Sequence, residues 1–281
     1  MHGIRMKDIK DISDIDWNEL ISIQRNKRPE KKEPGPQYWN KRAASFVDHV
    51  GKTNYPDAFL KIMEPKADWT VLDMGCGGGT LALPLSNRVK EITAVDYSDH
   101  MLAMLGDEIK RRDVNNIKTL KASWDDNWEE KGIRRYDVAI ASRSLSVDDL
   151  QGAIIKLINC AHRRVYISTV VGDGPYDRKI FDAIGRELIQ AVDYIYIYNL
   201  LFQMGIHASI SFIHEETAKT FDDLDEARDS LKWMLYEITP QEEDKLDRYL
   251  HENMIIKNGK KVFNYRKRFK WAVLSWDKEV M

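Results

Sequence analysis

The chain has 281 residues, 43 Lys plus Arg against 45 Asp plus Glu, and a formal net charge of −2. Its 43% hydrophobic and 31% charged residues suit a globular chain and exclude intrinsic disorder. The near-neutral balance disfavours bulk nucleic acid as the main partner, because phosphate binding draws on clustered positive charge. Two cysteines, Cys76 and Cys160, are too few for a disulfide framework or a cysteine-built zinc or iron–sulfur site. They fit a reducing cytoplasm, and the first eight residues hold no apolar core of a signal peptide.

Residues 1–66 read as a polar, helical extension. Asp16 to Ile23 places apolar side chains at helical spacing, Arg25 to Pro36 is a charged linker, and Tyr38 to Val50 carries one stripe of Trp39, Ala43, Phe46, Val47 and Val50. From residue 67 the texture changes. Strands are predicted at Trp69–Met74, Glu91–Asp96, Ile117–Ala122, Tyr136–Ala141 and Arg164–Thr169. Helices are predicted between them at Leu81–Arg88, Asp99–Arg112 and Val147–Ala161, with Ser98 and Ser146 as N-caps. This alternation implies βαβ units and a parallel sheet covered on both faces.

A helix is expected over Tyr176–Val192. The stretch Tyr194–Ile213 lacks Asp, Glu, Lys and Arg over about the length a bilayer needs. Polar residues and Gly205 break it into a helix up to Met204 and a strand over Ala208–Phe212, so no membrane span is expected. Two acidic amphipathic helices, Leu224–Tyr236 and Pro240–Glu252, form a helical insertion over 216–256, and a hairpin is expected at Lys261–Trp276.

The chemistry concentrates at Asp73-Met74-Gly75-Cys76-Gly77-Gly78-Gly79-Thr80, between a strand and a helix. Glycines there permit a tight turn and close approach of a ligand, and the helix start offers unpaired N–H groups. A dinucleotide fingerprint would want its third glycine at Thr80, and Asp73 is a poor neighbour for a pyrophosphate. A carboxylate suits an ammonium or sulfonium charge instead. Asp96 ends the second strand about 20 residues on, where an acid grips ribose hydroxyls. Tyr97 and Met101 are placed to cover the two faces of an adenine, and Ser123 with Trp124 to read its edge.

These motifs, with Val95-Asp96-Tyr97-Ser98 and Tyr136-Asp137-Val138-Ala139, resemble those of class I S-adenosylmethionine-dependent methyltransferases. They are most similar to the ubiquinone and menaquinone biosynthesis group. The resemblance covers residues 69 to about 170. It implies an α/β, Rossmann-like, doubly wound seven-stranded sheet, mostly parallel, with the last strand antiparallel and supplied by the C-terminal hairpin. It implies S-adenosyl-L-methionine as cofactor, with Gly75 and Gly77 at the methionine part, Asp96 on the ribose, and Ser123 with the Trp124 amide on the adenine. Relatives usually carry Asp where Ser123 aligns, so this contact is expected to be weaker. Asp73, Cys76 and Ser142 complete the cofactor set in the methyltransferase domain, 67–281. Tyr38, Trp39 and Arg42 match residue types that lie near the methionine end in quinone-type relatives, which makes 1–66 a lid.

Cys76 reads as a small packing residue, since no activating base lies nearby in sequence. The seven histidines show no metal spacing, so no metal is expected. Arg143, after the fourth strand, is a candidate substrate contact for a carboxylate or phosphate, with a surface ion pair as the equal alternative. The Asn/Asp-Pro-Pro-aromatic motif of adenine-N6 and glutamine methyltransferases is absent there. A small-molecule methyl acceptor is expected. The alternatives are RNA or protein methylation and a catalytically silent cofactor-binding partner protein. The basic stretch Lys257–Lys270 alternates with apolar residues as a solvated hairpin face would.

Overall fold

The computed structural model describes residues 10–27, 53–216, 219–235 and 237–278. Seven strands form one sheet in the order β3-β2-β1-β4-β5-β9-β6. They are β1 Thr70–Met74, β2 Glu91–Asp96, β3 Ile117–Lys121, β4 Tyr136–Ser142, β5 Ala161–Val170, β6 Ser209–Glu216 and β9 Arg268–Asp277. All neighbours up to β5 pair in parallel, for example Val71 with Ile92 and Leu72 with Ala139. β9 runs antiparallel to both β5 and β6.

Alternation along the strands builds two cores. Leu72, Ala139, Ile167 and Leu274 face one cluster with Ile154 and Leu200. Val71, Val138, Tyr166 and Val273 face another with Phe59 and Leu105. The helices on the first side are α1 Trp17–Asn26, α5 Leu150–Cys160 and α7 Tyr194–Gln203; those on the second are α2 Tyr55–Met63, α3 Ala82–Leu85 and α4 Asp99–Arg111. α1 buries Ile21 and crosses Trp17 edge-on against Tyr196 at 6.2 Å.

The expected elements appear with shifted edges. Ser98 caps α4, accepting from the Met101 amide at 3.2 Å. Ser146 caps nothing: Asp149 accepts from the Gly152 amide and α5 starts at Leu150. A charged cap one turn later competes better for the free amides. The helix expected over Tyr176–Val192 is only α6, Arg178–Ile184, because Gly185 ends it in the left-handed region. The Tyr194–Ile213 stretch divides into α7 and the start of β6, and no helix among the described residues is long and apolar enough to cross a membrane. His207 lies just outside β6 and His214 within it.

The segment after β6 departs most. α8 Leu224–Asp229, α9 Lys232–Leu235 and α10 Pro240–Asn253 are followed by β7 Met254–Lys257 and β8 Lys260–Phe263. So the segment is not purely helical, and the hairpin is not Lys261–Trp276. β7 and β8 make a separate two-stranded ribbon, while β9 joins the main sheet. Asn258 and Gly259 at its turn have φ of 51° and 75°, the two left-handed residues a tight hairpin requires. Helices α6, α8 and α10 share a third core around Phe181, Leu231, Leu246 and Leu250. The Arg186 guanidinium ties it together, donating to Glu242 at 2.7 and 2.9 Å and to the Glu237 carbonyl at 2.8 Å.

Candidate active site

The carboxyl ends of β1, β2 and β4 meet at the glycine loop. The amides of Gly75 and Cys76 both donate to the Val95 carbonyl, at 2.7 and 2.9 Å, which fixes the loop to the end of β2. Gly75 has φ of 77°, and a Cβ there would lie 2.3 Å from Ser144 Cβ. Ser144 belongs to the loop after β4, and its hydroxyl donates to the Met74 carbonyl at 2.7 Å. Two strand-end loops touch here, and only a residue without a side chain lets them.

Asp96 is the clasp between β2 and this loop. Its Oδ2 accepts from the Gly77 amide and its Oδ1 from the Ser98 amide, each at 2.9 Å. Burial raises its pKa, and those two backbone bonds oppose the rise. An ionised carboxylate has about four acceptor sites, so both oxygens keep capacity for a ligand's hydroxyls.

Asp73 is the site's unpaid debt: it is 1% exposed, and its Oδ2 has no hydrogen-bond partner among the described residues. Burial, then the charge of Asp96, push its pKa up to about 7, with the Ala82 amide pulling the other way. A buried anion without a partner is costly, and a neighbouring cation is what would satisfy it. An S-adenosylmethionine ligand carries both an ammonium and a sulfonium charge, so the donor set and the glycine cradle fit that cofactor.

Cys76 is buried, and burial first, then the charge of Asp73, raise its thiol well above the ordinary range. The thiol donates to the Gly77 carbonyl at 3.4 Å. A group held protonated in this way is no nucleophile at neutral pH.

The adenine-side candidates lie next along the edge. Tyr97 is half-buried, directly after Asp96; Met101 is only 2% exposed, so its side chain offers little open face. The loop after β3 closes on itself: the Ser123 amide donates to Asp126 at 2.7 Å, and the Ser123 hydroxyl accepts from the Asp125 amide at 3.2 Å. Trp124 reaches back to the glycine loop's neighbour, donating from Nε1 to the Ser144 carbonyl at 3.1 Å, and lies tilted against Trp128 with ring centres 5.3 Å apart. Lys156 holds the loop by the Trp124 carbonyl at 2.5 Å and the Asp126 carbonyl at 3.0 Å.

Ser142 and Arg143 lie on the other side, over β5. Arg143 has φ of 56°, a left-handed conformation rarely taken by a side chain of this size. Its amide donates to the Ser168 carbonyl at 3.0 Å, and its guanidinium sits 4.0 Å over the Tyr55 ring and 5.3 Å from that of Trp271. Below it, the Tyr55 hydroxyl meets Ser142 Oγ at 2.7 Å and Ser168 Oγ at 2.5 Å. Trp271 donates to the buried Glu215 carboxylate at 2.5 Å. Burial raises the Tyr55 hydroxyl's pKa.

The fold thus gathers Asp73, Gly75, Cys76, Gly77, Asp96, Trp124, Ser142 and Arg143 along one sheet edge, with Tyr97, Met101 and Ser123 flanking. Tyr38, Trp39 and Arg42 lie outside the described residues. Tyr55, Ser144 and Ser168 were not anticipated. Nothing local marks them, since their partners are between 26 and 113 residues away and only the strand order joins them.

Residues 71–163 match the family described as Methyltransferase domain. The chain is 35% identical over 252 residues to an uncharacterized protein of Haemophilus influenzae, covering 86% of this chain and 89% of that one. A 63-residue stretch is 35% identical to the Pseudomonas fluorescens 23S rRNA (uracil(1939)-C(5))-methyltransferase RlmD, 22% of this chain and 14% of that protein. In fold, the chain is similar to a candidate methyltransferase from Bacillus halodurans C-125, with TM-score 0.55 and 12% identity over 79% of this chain and 97% of the other. It is also similar to YcgJ of Bacillus subtilis, with TM-score 0.52 and 13% identity over 79% and 96%.

Proposed function

We infer that the chain, whose residues 71–163 match a methyltransferase domain, is a class I S-adenosylmethionine-dependent methyltransferase, and we propose that it methylates a small-molecule acceptor, with S-adenosyl-L-methionine as methyl donor. The observation that carries the cofactor assignment is Asp73, a buried carboxylate with an unsatisfied oxygen beside a glycine cradle. When bound, the cofactor supplies a sulfonium-activated methyl group for in-line displacement by the acceptor.

The chain's own residues then do the positioning. Asp73 faces the ligand's positive end. The loop at Gly75 and Gly77 lets the ligand lie against backbone. Asp96 accepts from the ribose hydroxyls while holding the loop. Tyr97, with the edge of Met101, borders the adenine, and Ser123 and the Trp124 amide meet its rim. Ser142 lines the junction toward Arg143, whose guanidinium, stacked on Tyr55, borders the place of the acceptor. Alignment and exclusion of water are the main demands of such a transfer. We read 67–281 as the catalytic domain and the described N-terminal helices as part of its wall, α2 packing into the core on the second face of the sheet. α1 supports that reading, for Arg25 donates to the Leu145 carbonyl at 2.9 Å, just past the loop after β4. The two free thiols suit work in the cytoplasm.

The likeness to RlmD favours RNA as a second acceptor class, but over a small share of either chain. Calorimetry with S-adenosylhomocysteine tests the cofactor assignment. Saturable binding that weakens in Asp73→Asn and Asp96→Ala is expected, and a folded wild-type protein that binds none would overturn it.

A further inference from the structure

A cavity of about 490 Å³ lies between the β7–β8 ribbon, the α8–α9 turn with α9, and the loop after β5. Its place follows from the topology. Pro175 and Asp177 come just after the end of β5, Phe221 follows the end of β6, and Arg266 and Lys267 precede the start of β9. All of these lie on the sheet edge that also carries the glycine loop. β5 and β9 stand two and three strands from β1. At about 4.8 Å per strand, the cavity floor is roughly 10–14 Å across the edge from the end of β1.

The lining has a definite chemistry. Phe221, Trp233, Phe263 and Tyr265 supply aromatic walls, with Phe221 edge-on to Phe263 at 6.5 Å and Phe263 tilted on Tyr265 at 5.3 Å. Strand alternation sends Ile255, Lys257, Lys260 and Val262 to one face of the ribbon, and that face lines the cavity. The one carboxylate in the wall, Asp177, is already engaged: it accepts from the Tyr265 hydroxyl at 2.7 Å and from the Lys179 amide at 3.1 Å. Tyr249 extends that chain, its hydroxyl 2.9 Å from that of Tyr265. Of the cations, Lys260 is bound to Asp222, Arg266 to Glu216, and Lys267 interacts with the charge of Asp173. Lys219 and Lys257 have no acidic partner among the described residues. Aromatic walls, an acid whose two oxygens are already hydrogen-bonded, and two lysines without an acidic partner among the described residues make a receptor for a flat, negatively charged molecule.

We propose that this cavity binds the ring-bearing anionic end of the methyl acceptor, an aromatic carboxylate or phosphate whose accepting group reaches back toward Arg143 and Gly75. The proposal rests on the methyl-transfer reading for its link to catalysis, but the ligand chemistry is read from the cavity alone. Its volume is that of a small-molecule site, and its aromatic walls can take a flat ring in offset-stacked or edge-to-face contact.

The test uses the full chain and two probes of equal shape, 2-naphthoate and its neutral amide, measured by ligand-observed saturation-transfer NMR. 2-Naphthoate should bind at least ten-fold more tightly than 2-naphthamide. The double variant Lys219→Glu/Lys257→Glu changes two exposed side chains and should remove that preference. Trp233→Leu should weaken both probes. S-adenosylhomocysteine affinity should stay unchanged in both variants. Equal binding of acid and amide, absence of naphthoate binding, or a preference that survives the double variant overturns the proposal. So does a 12-nucleotide RNA that binds where naphthoate does not and is lost in the double variant, which makes the surface a nucleic-acid contact. Failure of wild-type protein to bind S-adenosylhomocysteine breaks the methyl-transfer reading instead, while the two naphthalene probes still report on the cavity.

Discussion

Two parts of the molecule solve the problem of holding a ligand differently. From β1 to β5, the site is made of strand ends: each functional group follows a strand within a few residues, and the sheet sets its position. From β6 to β9, the cavity is made of short helices and a ribbon around a separate core, stapled by Arg186 and Glu242. The first region is constrained by backbone contacts that tolerate no extra atom. The second is held by side chains, and its walls can vary without disturbing the sheet. That division suits a protein whose cofactor is fixed by chemistry and whose acceptor is not.

The sharpest way to break the comparison is to make the same change in each region. Gly75→Ala puts a Cβ 2.3 Å from Ser144 Cβ at φ of 77°. Overpacking costs about 1–3 kcal/mol and the left-handed conformation about 1–2 more, so a large loss in urea midpoint and loss of S-adenosylhomocysteine binding are expected. Gly259→Ala has the same handedness, φ of 75°, but open space around it. Only the conformational cost of about 1–2 kcal/mol should appear there, with cofactor affinity untouched. Equal losses at the two positions would mean the loop is no tighter than the ribbon.

Next in size, Asp96→Ala removes the clasp as well as a ligand contact. It should weaken S-adenosylhomocysteine by about 1.5–3 kcal/mol, the worth of charge-assisted hydrogen bonds. Unchanged affinity by calorimetry would take Asp96 out of the site.

Asp73 gives a pH signature. Its carboxyl is raised from 3.8 to about 7 in the ligand-free fold. A raised acid pKa means that the fold prefers the protonated form. Its stability contribution is therefore present at low pH and lost as pH climbs from about 4 through about 7. Asp73→Asn should raise Tm at pH 8 and change it little at pH 4. A cationic ligand prefers the ionised form, so cofactor affinity in wild type should fall as pH drops below about 7, with proton release on binding. The Asn variant should bind weakly at every pH. A flat affinity profile in wild type would separate Asp73 from the ligand's charge.

The smallest expected effect is Cys76→Ala. Its thiol is buried and protonated, so turnover in a methyl-transfer assay should stay within about two-fold; complete loss in a folded variant would demand a covalent scheme.

The two regions also differ in how well their sequence announced them. β1, β2 and β4 could be placed to within a residue or so, because a buried parallel strand is a short apolar run and the glycine loop marks its end. Asp73, Gly75, Gly77 and Asp96 came with them. The ribbon is hidden in the sequence although Asn258-Gly259 is a strong hairpin signal, because its strands are four residues each and the longer alternation from Lys261 to Trp276 outweighs them. Tyr55 with Ser142 and Ser168, and Ser144 with Gly75, depend on strands pairing out of chain order, which no local pattern encodes. Cavity walls drawn from residues 175 to 267 are beyond local reading for the same reason.

The position of β9 has a consequence for biosynthesis. β5 and β6 are made first, and both wait for the same late strand, which enters between them. Until it emerges from the ribosome, β5 presents an open edge and β6 has no neighbour at all. Phe212 on β6 is still 41% exposed in the finished fold. Chains stalled or cut before Arg268 therefore carry two unpaired edges at once, a ready template for aggregation. Such truncations should collect as insoluble material even though every cofactor-loop residue has already been synthesised.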